Sequence, residues 1–177
     1  MLGRTTQLAT VFIGLPLVLG APGTGRSAAT LQAAHAQAKA MLIALQRGLV
    51  AEIIIRTHPK VVDQMGGRTK AHEETQKILR TMEQRGWSFQ KIELQASSGP
   101  KRSHDEDYLL LPYRLTLTTP KGIVEYDSFL VGVSSDGGKT WWFVNGVNDH
   151  SLLRSLLPHL PSSIKLPPVG PYRTVKP

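Results

Sequence analysis

His58 and Asp63 stand five residues apart around Pro59. An imidazole beside a carboxylate can move protons near neutral pH, because the imidazole titrates at about 6.5 when unperturbed. Asp127 is a second candidate base, with Glu125 close behind it and Arg114 available as a partner. Each set also has a purely structural reading. His58 would cap a helix opening at Pro59 and leave Asp63 in solvent, and Arg114, Glu125 and Asp127 would form a solvated sheet face. The remaining histidines, His35, His72, His104, His150 and His159, show neither His-x-His nor His-x3-His spacing. Only His104-Asp105-Glu106-Asp107 clusters ligand types, and it falls in a polar loop, so this reading calls for no metal and no cofactor.

Residues 134–143 read SSDGGKTWWF. The pattern Ser-x-Asp-x-Gly-x-Thr-Trp resembles the Asp-box of sialidase-like propellers. Those enzymes carry several boxes on several blades, and this chain has one box and too few residues. The stretch therefore reads as a turn. Asp136 can accept from the backbone N–H groups of its own loop, and Gly137 and Gly138 permit positive φ. Trp141 and Trp142 then fall on opposite faces of the following strand, so one of them belongs to the core.

The chain has 177 residues, enough for one domain with a core of its own. Its net charge of +8 favours acidic partners in general, but no run of basic residues and no basic-aromatic motif points to nucleic acid. Residues 1–7 hold one cation, Arg4, and no acid; residues 8–21 are apolar; Ser27, Ala28 and Ala29 follow. This is the layout of a secretory leader with cleavage after Ala29, and the apolar run is short for a membrane span. Cleavage leaves no integral membrane segment and removes two cations, Arg4 and Arg26, and no acid. With no cysteine, the chain has no disulfide, no thiol chemistry and no cysteine-linked lipid. The expected location is periplasmic or secreted, and the divisions are a leader over 1–29, a domain over 30–157 and a proline-rich tail over 158–177.

The candidate groups must be positioned by helices first and strands afterwards. Leu31, Ala34, Ala38, Leu42, Leu45 and Leu49 recur at helical spacing, which predicts a helix over 30–47 and, past Gly48, a second over 49–56. Pro59 opens a short helix that stops at Gly66, and a further helix runs over 69–85 to a left-handed cap at Gly86, with Trp87 folded back. The period then changes to two. Strands are expected over 87–96, with a bulge near Gln90 and Lys91, and over 107–118, 123–134 and 140–146. The turn at 119–122 allows two registers. One sets Arg114 opposite Asp127 and Leu115 opposite Tyr126. The other, with a bulge at Gly122, pairs Leu111 with Val131 and Tyr113 with Phe129. Asp149 would cap a short helix over 150–157. Six of the twelve prolines lie in 158–177, an extended tail. The fold class is α+β: N-terminal helices packed on an antiparallel four-stranded sheet.

The helix order, the His58-Pro59 segment followed by Gly66-Gly67, and the closing turn and strand with Trp141-Trp142-Phe143 resemble an exported NTF2-like protein over roughly residues 30–157. The resemblance implies a strongly curved sheet wrapped around long helices, a cone with an internal pocket. It also implies several roles, since such proteins include isomerases, dehydratases and pocket-bearing domains without a known reaction. A ketosteroid-isomerase type of site needs a carboxylate base and a tyrosine or protonated acid as oxyanion donor; Asp127 with Tyr108, Tyr113 and Tyr126 could supply one. The leading expectation is non-catalytic binding of a small or extended ligand. Trp87, Phe89, Tyr113, Tyr126, Trp142 and Phe143 are the aromatic pocket or core candidates, and Trp87, Tyr113, Arg114, Tyr126 and Trp142 are the ligand-contact set. One alternative is a lyase or isomerase using His58, Asp63 or Asp127. Another is an envelope interaction module, docking through its exposed sheet face or its tail, and a homodimer through the sheet is a further candidate partner arrangement. Enzyme or binder stays open at this point.

Overall fold

The computed structural model describes residues 23–175, with 23–27 as backbone alone. The expected leader lies outside the described residues up to position 22. Helix α1 spans Gly23–Gln46, starting before the expected residue 30 and running through the expected cleavage position. Gly48 ends it at φ +67, with the Leu49 N–H returning to the Ala44 carbonyl. Helix α2 is Val50–Arg56, α3 is Pro59–Gln64 and α4 is Arg68–Gln84. Gly86, at φ +71, turns the chain out of α4, and the Trp87 N–H folds back to the Met82 carbonyl.

Six strands follow: β1 Ser88–Leu94, β2 Lys101–Ser103, β3 Glu106–Thr119, β4 Gly122–Ser134, β5 Trp142–Asn145 and, near the C-terminus, β6 Arg173–Thr174. Helix α5, His150–Leu156, lies between β5 and β6 and is capped by Asp149, whose side chain accepts from Ser151 and Leu152 N–H groups. The sheet is antiparallel and unclosed, in the order β1-β3-β4-β5. These are the four expected strands. The short β2 pairs with the start of β3, and β6 pairs with the start of β4. Both additions are made by polar, largely exposed residues through backbone hydrogen bonds, so no apolar alternation marks them.

The register between β3 and β4 is the first of the two weighed, and it holds along the whole pair. Arg114 faces Asp127, Leu115 faces Tyr126, Leu111 faces Leu130 and Tyr113 faces Ser128. The alternative pairs, Leu111 with Val131 and Tyr113 with Phe129, do not form, because the chain turns through Pro120-Lys121 alone. The predicted bulge is present, as a register shift between Phe89 and Lys91.

Register decides which residues share a face. The inner face carries Leu109, Leu111, Tyr113, Leu115, Leu117, Leu130 and Phe143, packed on Ala34, Ala38, Met41 and Leu42 of α1. The outer face carries Tyr108, Phe129, Val131, Val133 and Val144, covered by Leu153, Leu156, Leu157, Leu160 and Ile164. The tail is therefore a strap. Arg154 donates to the carbonyls of Leu160 and Ile164, Val169 N–H to Asn148 Oδ1, and Gly170 N–H to the Asp127 carbonyl. The sheet face that was expected as a docking surface is covered over this half by the chain's own C-terminal segment.

The SSDGGKTWWF turn ties the last strand to the first helix. Asp136 Oδ1 accepts from Ser134 Oγ and from the N–H groups of Lys139 and Thr140. Trp141 Nε1 donates to the Gly138 carbonyl, and Trp141 N–H to Gln37 Oε1 of α1. Gly138, at φ +87, lies against α1 so closely that an added Cβ would collide with Thr30 Cγ2. Trp141 is the core member of the tryptophan pair, at 1% exposure, whereas Trp142 stands half-buried beside Val133 on the outer face.

Candidate functional site

Helices α1 to α4 do not close completely on the inner sheet face. Between them lies a cavity of about 340 Å³, within the range of about 300–1,000 Å³ typical of small-molecule sites. Met41, Leu42 and Leu45 of α1, Ile53 of α2, and Leu79 and Met82 of α4 form the helical wall. Phe89, Leu115, Leu117, Leu130 and Phe143 form the sheet wall. Ile78, Asn145 and Tyr172 are the exposed members of the lining, so the rim runs from α4 to the end of β5 and the strap. Among the described residues, none that lines it is Asp, Glu, His, Lys or Arg.

Three polar side chains of the lining, Tyr113, Ser128 and Asn145, meet where β3, β4 and β5 lie side by side. Tyr113 and Ser128 are cross-strand partners, and Tyr113 Oη donates to Asn145 Oδ1 at 2.7 Å. Burial of the Tyr113 phenol pushes its pKa up to about 12. It is therefore a protonated donor at neutral pH, not a base. Burial also raises Tyr126, and the neighbouring Tyr172 adds to the shift. Tyr172 stacks on Tyr126 with ring centroids 4.8 Å apart and meets Trp87 edge-on at 5.5 Å. The strap thus delivers one aromatic ring to the inner side of the sheet.

Among the ligand-contact candidates, Tyr113 and Tyr126 line the cavity, and Phe89 and Phe143 join them from the wider aromatic set. Trp87 lies beside the cavity, touching the Tyr172 ring. Trp142 and Arg114 point away from it. Arg114 is on the outer face, where its Nε donates to Asp127 Oδ1 at 2.7 Å and its Nη1 lies 3.7 Å from Glu125. Arg173 pairs with the other oxygen of Asp127. The bond from Arg114 is the main reason that the Asp127 carboxyl titrates below its ordinary range. Asp127 is an ionised, paired anchor for the strap.

His58 is buried, and its Nδ1 accepts the Lys60 N–H at the start of α3, the capping arrangement. Its backbone N–H bonds the Phe143 carbonyl, which fastens the α2–α3 junction to the free edge of β5. Burial, reinforced by Lys60 and opposed by Glu106, lowers its pKa. Asp63 is exposed on α3. Neither residue lines the cavity. Among the described residues, no group of three or more His, Asp or Glu is arranged to hold a metal ion, and no helix is long and apolar enough to cross a membrane.

The residues that sequence reasoning missed are Thr75, Ile78, Asn145, Gly146 and Tyr172, which stand at or near the rim. Ile78 is an apolar residue of α4 that stays exposed. The others are polar, small or in the proline-rich tail, and no periodicity marks them. No family model matches the chain, and no curated protein matches its sequence.

Proposed function

We propose that this chain is an exported NTF2-like domain that binds a small apolar ligand between its helices and its curved sheet, without catalysing a reaction on it. The observation that carries this reading is the chemistry of the lining. A cavity of about 340 Å³ is walled mainly by Leu, Ile, Met, Phe and Tyr, with no carboxylate, imidazole, ammonium or guanidinium among its described walls. Apolar surface held open beside a packed core is costly, and a ligand that fills it regains the lost contacts. Helices before an antiparallel sheet, with the cavity between them, support the NTF2-like assignment. The leader-like residues 1–29 support export.

The lyase or isomerase alternative has less support. His58 is engaged as a helix cap, Asp63 is in solvent, and Asp127 is tied to Arg114 and Arg173 on the outer face. A general base must come within hydrogen-bond reach of the proton it removes, and none of the three lines the cavity.

The test is titration with diphenylhexatriene, a hydrocarbon dye that fluoresces when removed from water. The chain should bind it saturably at one site. Leu42→Trp, which fills the cavity from α1, should abolish the signal while leaving the unfolding midpoint within a few degrees. Equal dye binding by the folded Leu42→Trp variant would refute the pocket reading.

A further inference from the structure

A polar corner of the cavity narrows the class of ligand, an inference that rests on the pocket reading above. Tyr113 has a single phenolic proton, and it is given to Asn145 Oδ1 at 2.7 Å. That bond orients the Asn145 side chain: its oxygen is turned to Tyr113 and its amide nitrogen away. The nitrogen carries two donors, and neither meets an acceptor on another described residue. Asn145 is exposed at the rim, whereas Tyr113 behind it is 2% exposed. The corner therefore offers donors to a ligand oxygen at the mouth, with hydrocarbon walls beyond.

Charge sets the second limit. Among the described residues no Lys, Arg or His lines the cavity, and the nearby guanidinium groups of Arg114 and Arg173 are committed to Asp127 on the far side of the sheet. A carboxylate held against the Asn145 amide would give up part of its water without gaining a cation, which costs it more than it costs a neutral oxygen. A cationic head would meet no carboxylate in the lining.

We propose that the ligand is a neutral amphiphile: an apolar body buried against Leu42, Leu115 and Leu130, with one uncharged carbonyl or hydroxyl oxygen accepting from the Asn145 amide. Tyr113 acts as the positioning residue that holds the amide in this orientation.

The experiment displaces diphenylhexatriene from the full chain with three probes of equal chain length: dodecanol, dodecanamide and dodecanoate. The first two should displace the dye about tenfold more tightly than dodecanoate at a pH where the acid is ionised. Asn145→Leu should weaken dodecanol and dodecanamide by about tenfold relative to the dye bound by the same variant, the worth of one directed hydrogen bond. Tyr113→Phe keeps the ring and should produce a smaller loss in the same direction, so it serves if Asn145→Leu fails to fold. Equal affinity for dodecanoate would overturn the neutral-head assignment, and undiminished dodecanol binding in the folded variants would overturn the role of Asn145. Failure of the wild-type chain to bind the dye at all would instead sink the pocket reading beneath both.

Discussion

The Asp136 carboxylate accepts from two backbone N–H groups and a hydroxyl, led by the Thr140 N–H, and these bonds lower its pKa to about 2. Because the folded value lies below the ordinary 3.8, its contribution is present above 3.8 and lost as pH falls through about 2. Asp136→Ala should cost about 1–2 kcal/mol at neutral pH, since exposed turn groups can turn to water, and should flatten the acid limb of the stability profile. Urea unfolding at several pH values measures both. His58 shows the opposite chemistry in the same pH-sensitive direction. Its folded pKa is lowered by burial, so the unfolded chain takes the proton first as pH falls below 6.5, and stability drops there. His58→Asn keeps a side-chain cap and should remove that part of the loss; an unchanged profile below 6.5 would show that the imidazole is not buried in the folded state. Both structural roles were readable beforehand, because a cap or a turn needs only local spacing. The outward turn of Arg114 and Trp142 was not readable as a site assignment, because it depends on strand register and on which face the helices cover.

Element boundaries followed from periodicity wherever one face of an element is buried. The stripe Leu31, Ala34, Ala38 and Leu42 gave the body of α1, and the change of period at Trp87 gave the start of the sheet. Elements without a buried face escaped. Lys101–Ser103 and Arg173–Thr174 add to the sheet by backbone pairing alone. Residues 158–177 read only as an extended tail because prolines interrupt any period, although Leu160 and Ile164 bury themselves under the outer face. The strap depends on Asp127, whose carbonyl receives the Gly170 N–H and whose carboxylate holds Arg173. Asp127→Ala should cost less than about 1 kcal/mol globally, since these charges are partly exposed. Amide exchange at Arg173 and Val175 should nevertheless quicken, with little change at Leu111 or Leu130 in the central strands. Unaltered exchange at those two amides would mean that backbone pairing of β6 holds the strap without the ion pair.

At the scale of the whole molecule, one sheet serves two apolar layers. Its outer layer is closed by α5 and the strap, and its inner layer is left with a cavity because α4 contributes Leu79 and Met82 but buries only Ala71 fully. The α+β order was legible from the sequence; the cavity was an expectation from resemblance, since its volume depends on how far the helices stand from the sheet. The most direct measurement is a methyl NMR titration of the full domain with dodecanol. The central claim predicts that methyl signals of Met41, Ile53, Leu115 and Leu130 shift together and saturate at one ligand per chain, while the exposed Ile55 and Leu152 stay unmoved. Shifts that fall on Ile55 and Leu152, or that never saturate, would contradict it.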